Sequence, residues 1–213
     1  MNLTLFLTST GLPIETSPFF LKLLNRPSSD YKVAFVPTAG DPYSDKWFIK
    51  SDFDRLIELG FQVETTDLKE DKEIIKQKLI GSQIIYFSGG NTFYLLDWIR
   101  KSGLNNYLKR LLEQGRIFVG ASAGSIIAGP DISISGWSPD GDTNDVKLVD
   151  THGLNYVPFA VSPHFTETKR PMLESHLSKV DYEIISITDK QAIYYHNDQW
   201  QLVGEGESIK LNK

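Results

Sequence analysis

Residues 116–129, RIFVGASAGSIIAG, pass from an apolar, β-prone run into a helix-prone run with only Gly120-Ala121-Ser122-Ala123-Gly124 between them. Few folds accept so abrupt a turn. A strand that reverses into a helix within a few residues belongs at the carboxyl edge of a parallel sheet, and a Cβ at Gly120 or Gly124 would collide with the neighbouring strand or helix. Ser122 is then expected to point its hydroxyl outward at the positive end of a helix, with the Ala123 amide beside it. GxSxG in this context is the pattern of a nucleophile elbow. Taken alone, the string also suits a plain strand-to-helix connection.

The rest of the chain supplies a context for such an edge. Apolar, β-branched runs at Leu3 to Thr8, Lys32 to Pro37, Gln62 to Thr66, Gln83 to Phe87 and Arg116 to Gly120 alternate with apolar residues at helical spacing. The helical stretches are Pro18 to Leu24, Asp45 to Leu59, Lys72 to Ile80, Thr92 to Arg100 and Leu104 to Glu113. After Gly129 the order loosens into a Ser-, Asp- and Gly-rich loop at 135–145, followed by an apolar run at Val157 to Val161 and a helix near Pro171 to Lys179. Strand-like segments follow at Glu183 to Thr188, Gln191 to His196 and Gln199 to Gly204, with a hairpin turn at His196-Asn197-Asp198. The pattern predicts an α/β three-layer sandwich, with a mostly parallel central sheet and an antiparallel edge near the carboxyl terminus. At 213 residues and 40% hydrophobic content, with no repeat or linker, residues 1–213 are expected to form one domain.

A formal charge of -5, without a cluster of Lys and Arg among aromatics, argues against nucleic acid as a partner. MNLTLFLTST reads as a first strand and not as a secretion signal, and no run approaches the roughly 18 apolar residues that span a bilayer. A soluble, cytoplasmic protein is expected. With no Cys, thiolate chemistry and disulfides are out of reach.

A serine needs a base, most often histidine. His164, in Val161-Ser162-Pro163-His164-Phe165, follows an apolar strand and a rigid proline, and is preferred to its rival His152. His176 and His196 read as surface or packing residues. The imidazole in turn needs an acceptor, and Asp140, Asp142, Asp145 and Asp150 all lie in or just after the loop between Ser122 and His164, a kind of loop that is usually just solvated. DGDTND resembles part of a calcium loop but lacks the closing glutamate, so no metal is expected. In Ser88-Gly89-Gly90-Asn91-Thr92, the Gly89 or Gly90 amide is a candidate second oxyanion donor, and Asn91 a candidate helix cap or substrate contact. The loop lacks GxGxxG spacing and no Walker-type lysine follows it, so no nucleotide cofactor is expected.

SGGNTFYLL (88–96), VGASAGSIIAGP (119–130) and VSPHF (161–165), in this order, resemble peptidase family S51, the family of dipeptidase E (aspartyl dipeptidase) and, more distantly, cyanophycinase. The resemblance implies a fold similar to class I glutamine amidotransferases, also flavodoxin-like, with serine replacing the elbow cysteine. It implies Ser122 as nucleophile, His164 as base, and Gly89, Gly90 and Ala123 as oxyanion donors. In dipeptidase E the acid falls where this chain has Trp137; in cyanophycinase-like members it falls further on, at Asp140, with Asp142 in reserve. Arg170 corresponds to a residue that binds the substrate's aspartyl side chain, while Lys169 stands where an acidic residue is expected to hold the substrate amine. The reading is a serine peptidase of short peptides. A non-catalytic binding or regulatory protein, or an esterase or amidase with the same nucleophile, are its alternatives.

Overall fold

The computed structural model describes residues 3–207 and 209–211. Strand and helix alternate through β1 (Thr4–Thr8), α1 (Ser17–Leu23), β2 (Lys32–Val36), α2 (Trp47–Glu58), β3 (Gln62–Thr65), α3 (Lys72–Gly81) and β4 (Ile84–Phe87). Two helices, α4 (Thr92–Lys101) and α5 (Asn105–Glu113), precede β5 (Ile117–Ala121), and one helical turn, α6 (Ala123–Ile126), follows it. The chain then passes through β6 (Phe159–Ser162), α7 (Arg170–Leu177), β7 (Glu183–Ser186), β8 (Gln191–His196), β9 (Gln199–Gly204) and β10 (Ile209–Leu211).

Seven strands form the main sheet in the order β3-β2-β4-β5-β1-β8-β9. The first five are parallel; β8 adds antiparallel to β1, and β9 antiparallel to β8. Successive side chains in a strand face opposite sides, so a strand buried on both faces must be apolar throughout. In β1, Leu5 and Leu7 enter one core with α3, α4 and α5, while Phe6 enters the other with Phe20 of α1 and Leu56 of α2. These are the three layers and the antiparallel edge that the alternation predicted. Asn197 and Asp198, at φ 52 and 60, supply the left-handed residues of the β8–β9 hairpin turn.

A second, three-stranded sheet, β10-β7-β6, was not anticipated. Its β6 and β7 are parallel and joined through α7, a βαβ unit whose apolar residues Phe159, Val161, Ile184 and Ile185 share the core of α4 and α6. Sequence pattern finds such strands one at a time but carries no information about which sheet each joins.

The elbow is as tight as its glycines imply. A Cβ on Gly120 would lie 2.4 Å from the Gly124 carbonyl, and one on Gly124 would lie 2.2 Å from the Phe87 oxygen of β4. The Ser125 hydroxyl ties the turn down, donating at 2.7 Å to the carbonyls of both Thr8 and Gly120. Strand order reverses between β2 and β4, where ligand sites of open α/β sheets lie. There Asn91 N donates to Ala39 O at 2.8 Å, and Gly90, at φ 137, leaves no room for a side chain against Ala39.

Candidate active site

Ser122 leaves β5 at φ 49 and ψ -108, a conformation costly for any residue with a Cβ, by roughly 1–3 kcal/mol. The strain lifts its hydroxyl clear of the sheet, half-exposed at the carboxyl edge. Because α6 is only one turn long, a helix dipole adds little there. His164 stands two residues beyond β6, also left-handed at φ 54, and its Nε2 lies 3.0 Å from Ser122 Oγ. The other three histidines are engaged elsewhere. His152 pairs with Asp150 on the surface at 2.6 Å, His176 stacks on Trp137, and His196 bonds Thr4.

The acid facing the imidazole is Asp189, not Asp140. Asp189 Oδ1 lies 2.7 Å from His164 Nδ1, in the turn between β7 and β8. Ser9, at the end of β1, fastens this arrangement from below: its hydroxyl accepts the His164 amide at 2.7 Å and donates to Asp189 Oδ1 at 2.7 Å. Thr10 adds a bond from its hydroxyl to the Asp189 carbonyl. Burial pushes the Asp189 carboxyl up, but the Ser9 bond and the charges of His164 and Lys169 outweigh it and hold the group below its ordinary value. Asp140 is exposed in the loop before β6, makes no hydrogen bond to the ring, and lines a small cavity together with Lys169. Asp142, the reserve, caps α4 by accepting the Thr92 amide at 2.8 Å, with Tyr43 on its other oxygen at 3.3 Å. Burial raises its carboxyl despite these bonds.

Gly89, Gly90 and Ala121 line a cavity of about 690 Å3 together with Ser122 and His164. A smaller one of about 150 Å3, lined by Lys169, Ser135 and Asp140, lies on the other side of Ser122. Two expected substrate contacts fall outside both. Asn91 is buried, its Oδ1 capping α4 by accepting from Tyr94 N and its Nδ2 donating to Thr143 O. Arg170 is held bidentately by Glu167 at 2.8 and 3.0 Å and lines neither cavity. Lys169, whose ammonium burial holds below its ordinary value, is the cation that does face the smaller cavity.

The larger cavity also contains an acid that sequence reasoning passed over. Asp52, on α2, has its carboxyl pushed up to about 7 by burial, which the neighbouring Tyr86 hydroxyl only partly offsets. A folded-state value above the unfolded one means that native stability falls as pH rises from about 4 towards 7 and then levels off. Asp52→Asn, which carries no charge to bury, is therefore expected to melt above the native protein at about pH 8 and level with it near pH 4. Thermal unfolding at the two pH values measures this.

The model of peptidase family S51 matches residues 5–203. An uncharacterized peptidase of Listeria monocytogenes serovar 1/2a is 31% identical over 137 residues, which cover 64% of this chain and 66% of that protein, just under two thirds of its length. Peptidase E of Shewanella denitrificans is 27% identical over 207 residues, 91% of this chain and 83% of that one. A crystal structure of a protein provisionally designated a peptidase E, from Listeria monocytogenes EGD-e, superposes with a TM-score of 0.84 at 25% identity, covering 97% of this chain and all of that one.

Proposed function

Because the chain belongs to peptidase family S51, we propose that it cleaves short peptides with Ser122 as nucleophile, His164 as general base and Asp189 as the group that orients the imidazole. The observation that carries this reading is the unbroken line from Ser122 Oγ through the two ring nitrogens to Asp189, at 3.0 and 2.7 Å, opening on a cavity. With Nδ1–H given to Asp189, Nε2 is free to accept the Ser122 proton as the hydroxyl attacks the scissile carbonyl. The imidazolium that forms is stabilised by the Asp189 carboxylate. It then returns the proton to the leaving amine, and water, deprotonated by the same ring, hydrolyses the acyl-enzyme.

Attack places negative charge on the carbonyl oxygen. The Gly90 amide, in the lining of the larger cavity, donates to no backbone carbonyl among the described residues, which supports its role, with Gly89 lending an unobstructed approach, in binding that oxygen; the Ala123 amide is likewise without a backbone acceptor, but Ala123 is buried and lines neither cavity. Peptides are the substrate class favoured by the relatives named peptidase E, and a cavity of about 690 Å3 suits short ones.

A fluorophosphonate probe tests the nucleophile directly, since only an activated hydroxyl reacts quickly. Stoichiometric modification of Ser122, located by peptide mass mapping and absent from His164→Ala, is the expected result. An unmodified Ser122 under conditions that saturate a control serine hydrolase overturns the reading and leaves a binding protein of the same fold.

A further inference from the structure

The larger cavity extends well beyond the reacting atoms, between α2 and the connection from β1 to α1. Four carboxyl groups line it, Asp52, Asp54, Glu58 and Asp142, against one guanidinium, Arg55. Most of these charges are already matched. Asp54 pairs with Lys50, Glu58 with Arg55, and Asp142 with the Thr92 amide and Tyr43. Arg55 is also engaged elsewhere, since besides Glu58 it donates to Leu12 O at 2.9 Å and to Ser17 Oγ at 3.0 Å.

Asp52 is the exception. No cation pairs with it among the described residues, and its polar neighbour is the buried, neutral Tyr86 hydroxyl, which offsets the cost of burying the carboxyl only in part. The carboxyl lies against Gly11, two residues beyond Ser9, where a Cβ would come within 2.4 Å of its Oδ1. It keeps some contact with solvent and yet is surrounded by protein, as a group deep in a cleft is. A carboxyl so placed is costly to ionise without a counter-charge, and a ligand that brings one recovers that cost. Leu12, Phe48 and the exposed Trp47 give the same cavity apolar walls, suited to an aliphatic stem.

We propose that this cavity is a specificity subsite for a cationic side chain of the peptide, lysine or arginine, with Asp52 as its counter-charge. The proposal rests on the peptidase reading of Ser122 for its substrate and not for its binding chemistry. It also departs from the preference for aspartyl peptides that the family resemblance implies.

Peptide pairs differing only in lysine against norleucine, which keeps the stem and lacks the ammonium, test it at each position flanking the scissile bond. At one position the native protein is expected to favour lysine in kcat/KM by roughly ten- to hundredfold, the range of a charged hydrogen bond. In Asp52→Asn that ratio is expected to collapse to within about threefold. Equal handling of the two peptides by the native protein, or a lysine preference that survives in Asp52→Asn, overturns the subsite. Calorimetric titration of Ser122→Ala with lysinamide and norleucinamide separates this from the chemistry. Selective binding of lysinamide, lost on adding Asp52→Asn, upholds the subsite even if the native protein hydrolyses nothing; hydrolysis without lysine selectivity in either measurement removes the subsite and leaves the peptidase.

Discussion

Ser122→Ala is expected to lower kcat for any peptide the native protein cleaves by on the order of 10⁶, the loss seen when a serine hydrolase is deprived of its nucleophile. The binding cavity and the amides of Gly90 and Ala123 are untouched by the change, so KM stays near its native value. A residue of turnover above the uncatalysed rate is also expected, because oxyanion stabilisation and positioning do not require the hydroxyl. The fold should persist. Ser122 N donates to Thr8 O at 3.0 Å through the backbone, and alanine at φ 49 carries strain comparable with that of serine. Steady-state hydrolysis by highly purified protein is the measurement, and a kcat within tenfold of native would mean that some other group performs the attack.

The second large effect concerns the acid. Asp189→Asn is expected to reduce kcat by roughly 10²- to 10⁴-fold, because an asparagine amide can donate to Nδ1 and favour the tautomer with its proton on Nε2, which cannot then accept from Ser122. The lower part of that range is favoured by solvent, since the Asp189 side chain is 59% exposed and its field is screened. Asp140→Asn, by contrast, is expected to change kcat by less than about threefold, as removal of an exposed loop carboxylate does. Parallel kcat measurements decide between the two acids. A greater loss in Asp140→Asn than in Asp189→Asn would return the role to the loop.

Why one pair of residues was legible in the sequence and the third was not has a physical explanation. Ser122 announces itself locally, since a sharp strand-to-helix turn forces small residues around it and leaves a GxSxG string. His164 is nearly as visible, following an apolar strand and a proline that fixes its exit. Asp189 carries no such mark. It sits in a surface turn, Thr188-Asp189-Lys190-Gln191, indistinguishable by composition from any other polar turn, and it acquires its neighbours only when β7 lies beside β6. The Asp-rich loop between Ser122 and His164 offers carboxylates in plenty, but Asp140, Asp145 and Asp150 are exposed and Asp142 is spent on α4. A signal was available in the βαβ pattern of residues 157–188. Parallel strands bring their carboxyl ends together, and the register of Ser162 with Ser186 sets the residues just after β7 beside His164.

The layers of the main sheet were legible for the opposite reason, since strands buried on both faces leave continuous apolar runs. Arg170 and Asn91 illustrate the converse limit. Each has the right chemistry for a ligand contact, but Glu167 one turn away satisfies the first and the start of α4 satisfies the second. Sequence offers polar groups without saying which of them the fold has already used.

Ser9 joins the two sheets at the site, with its hydroxyl on both the His164 amide and the Asp189 carboxylate. Serine, imidazole and acid are thus spread over 68 residues of chain, positions 122, 164 and 189, and converge only once the late βαβ unit docks on the first strand. A polypeptide still emerging from the ribosome would carry its alcohol long before it carried the means to ionise it. The proposed site would be assembled only after residue 189 has emerged and its strand has folded.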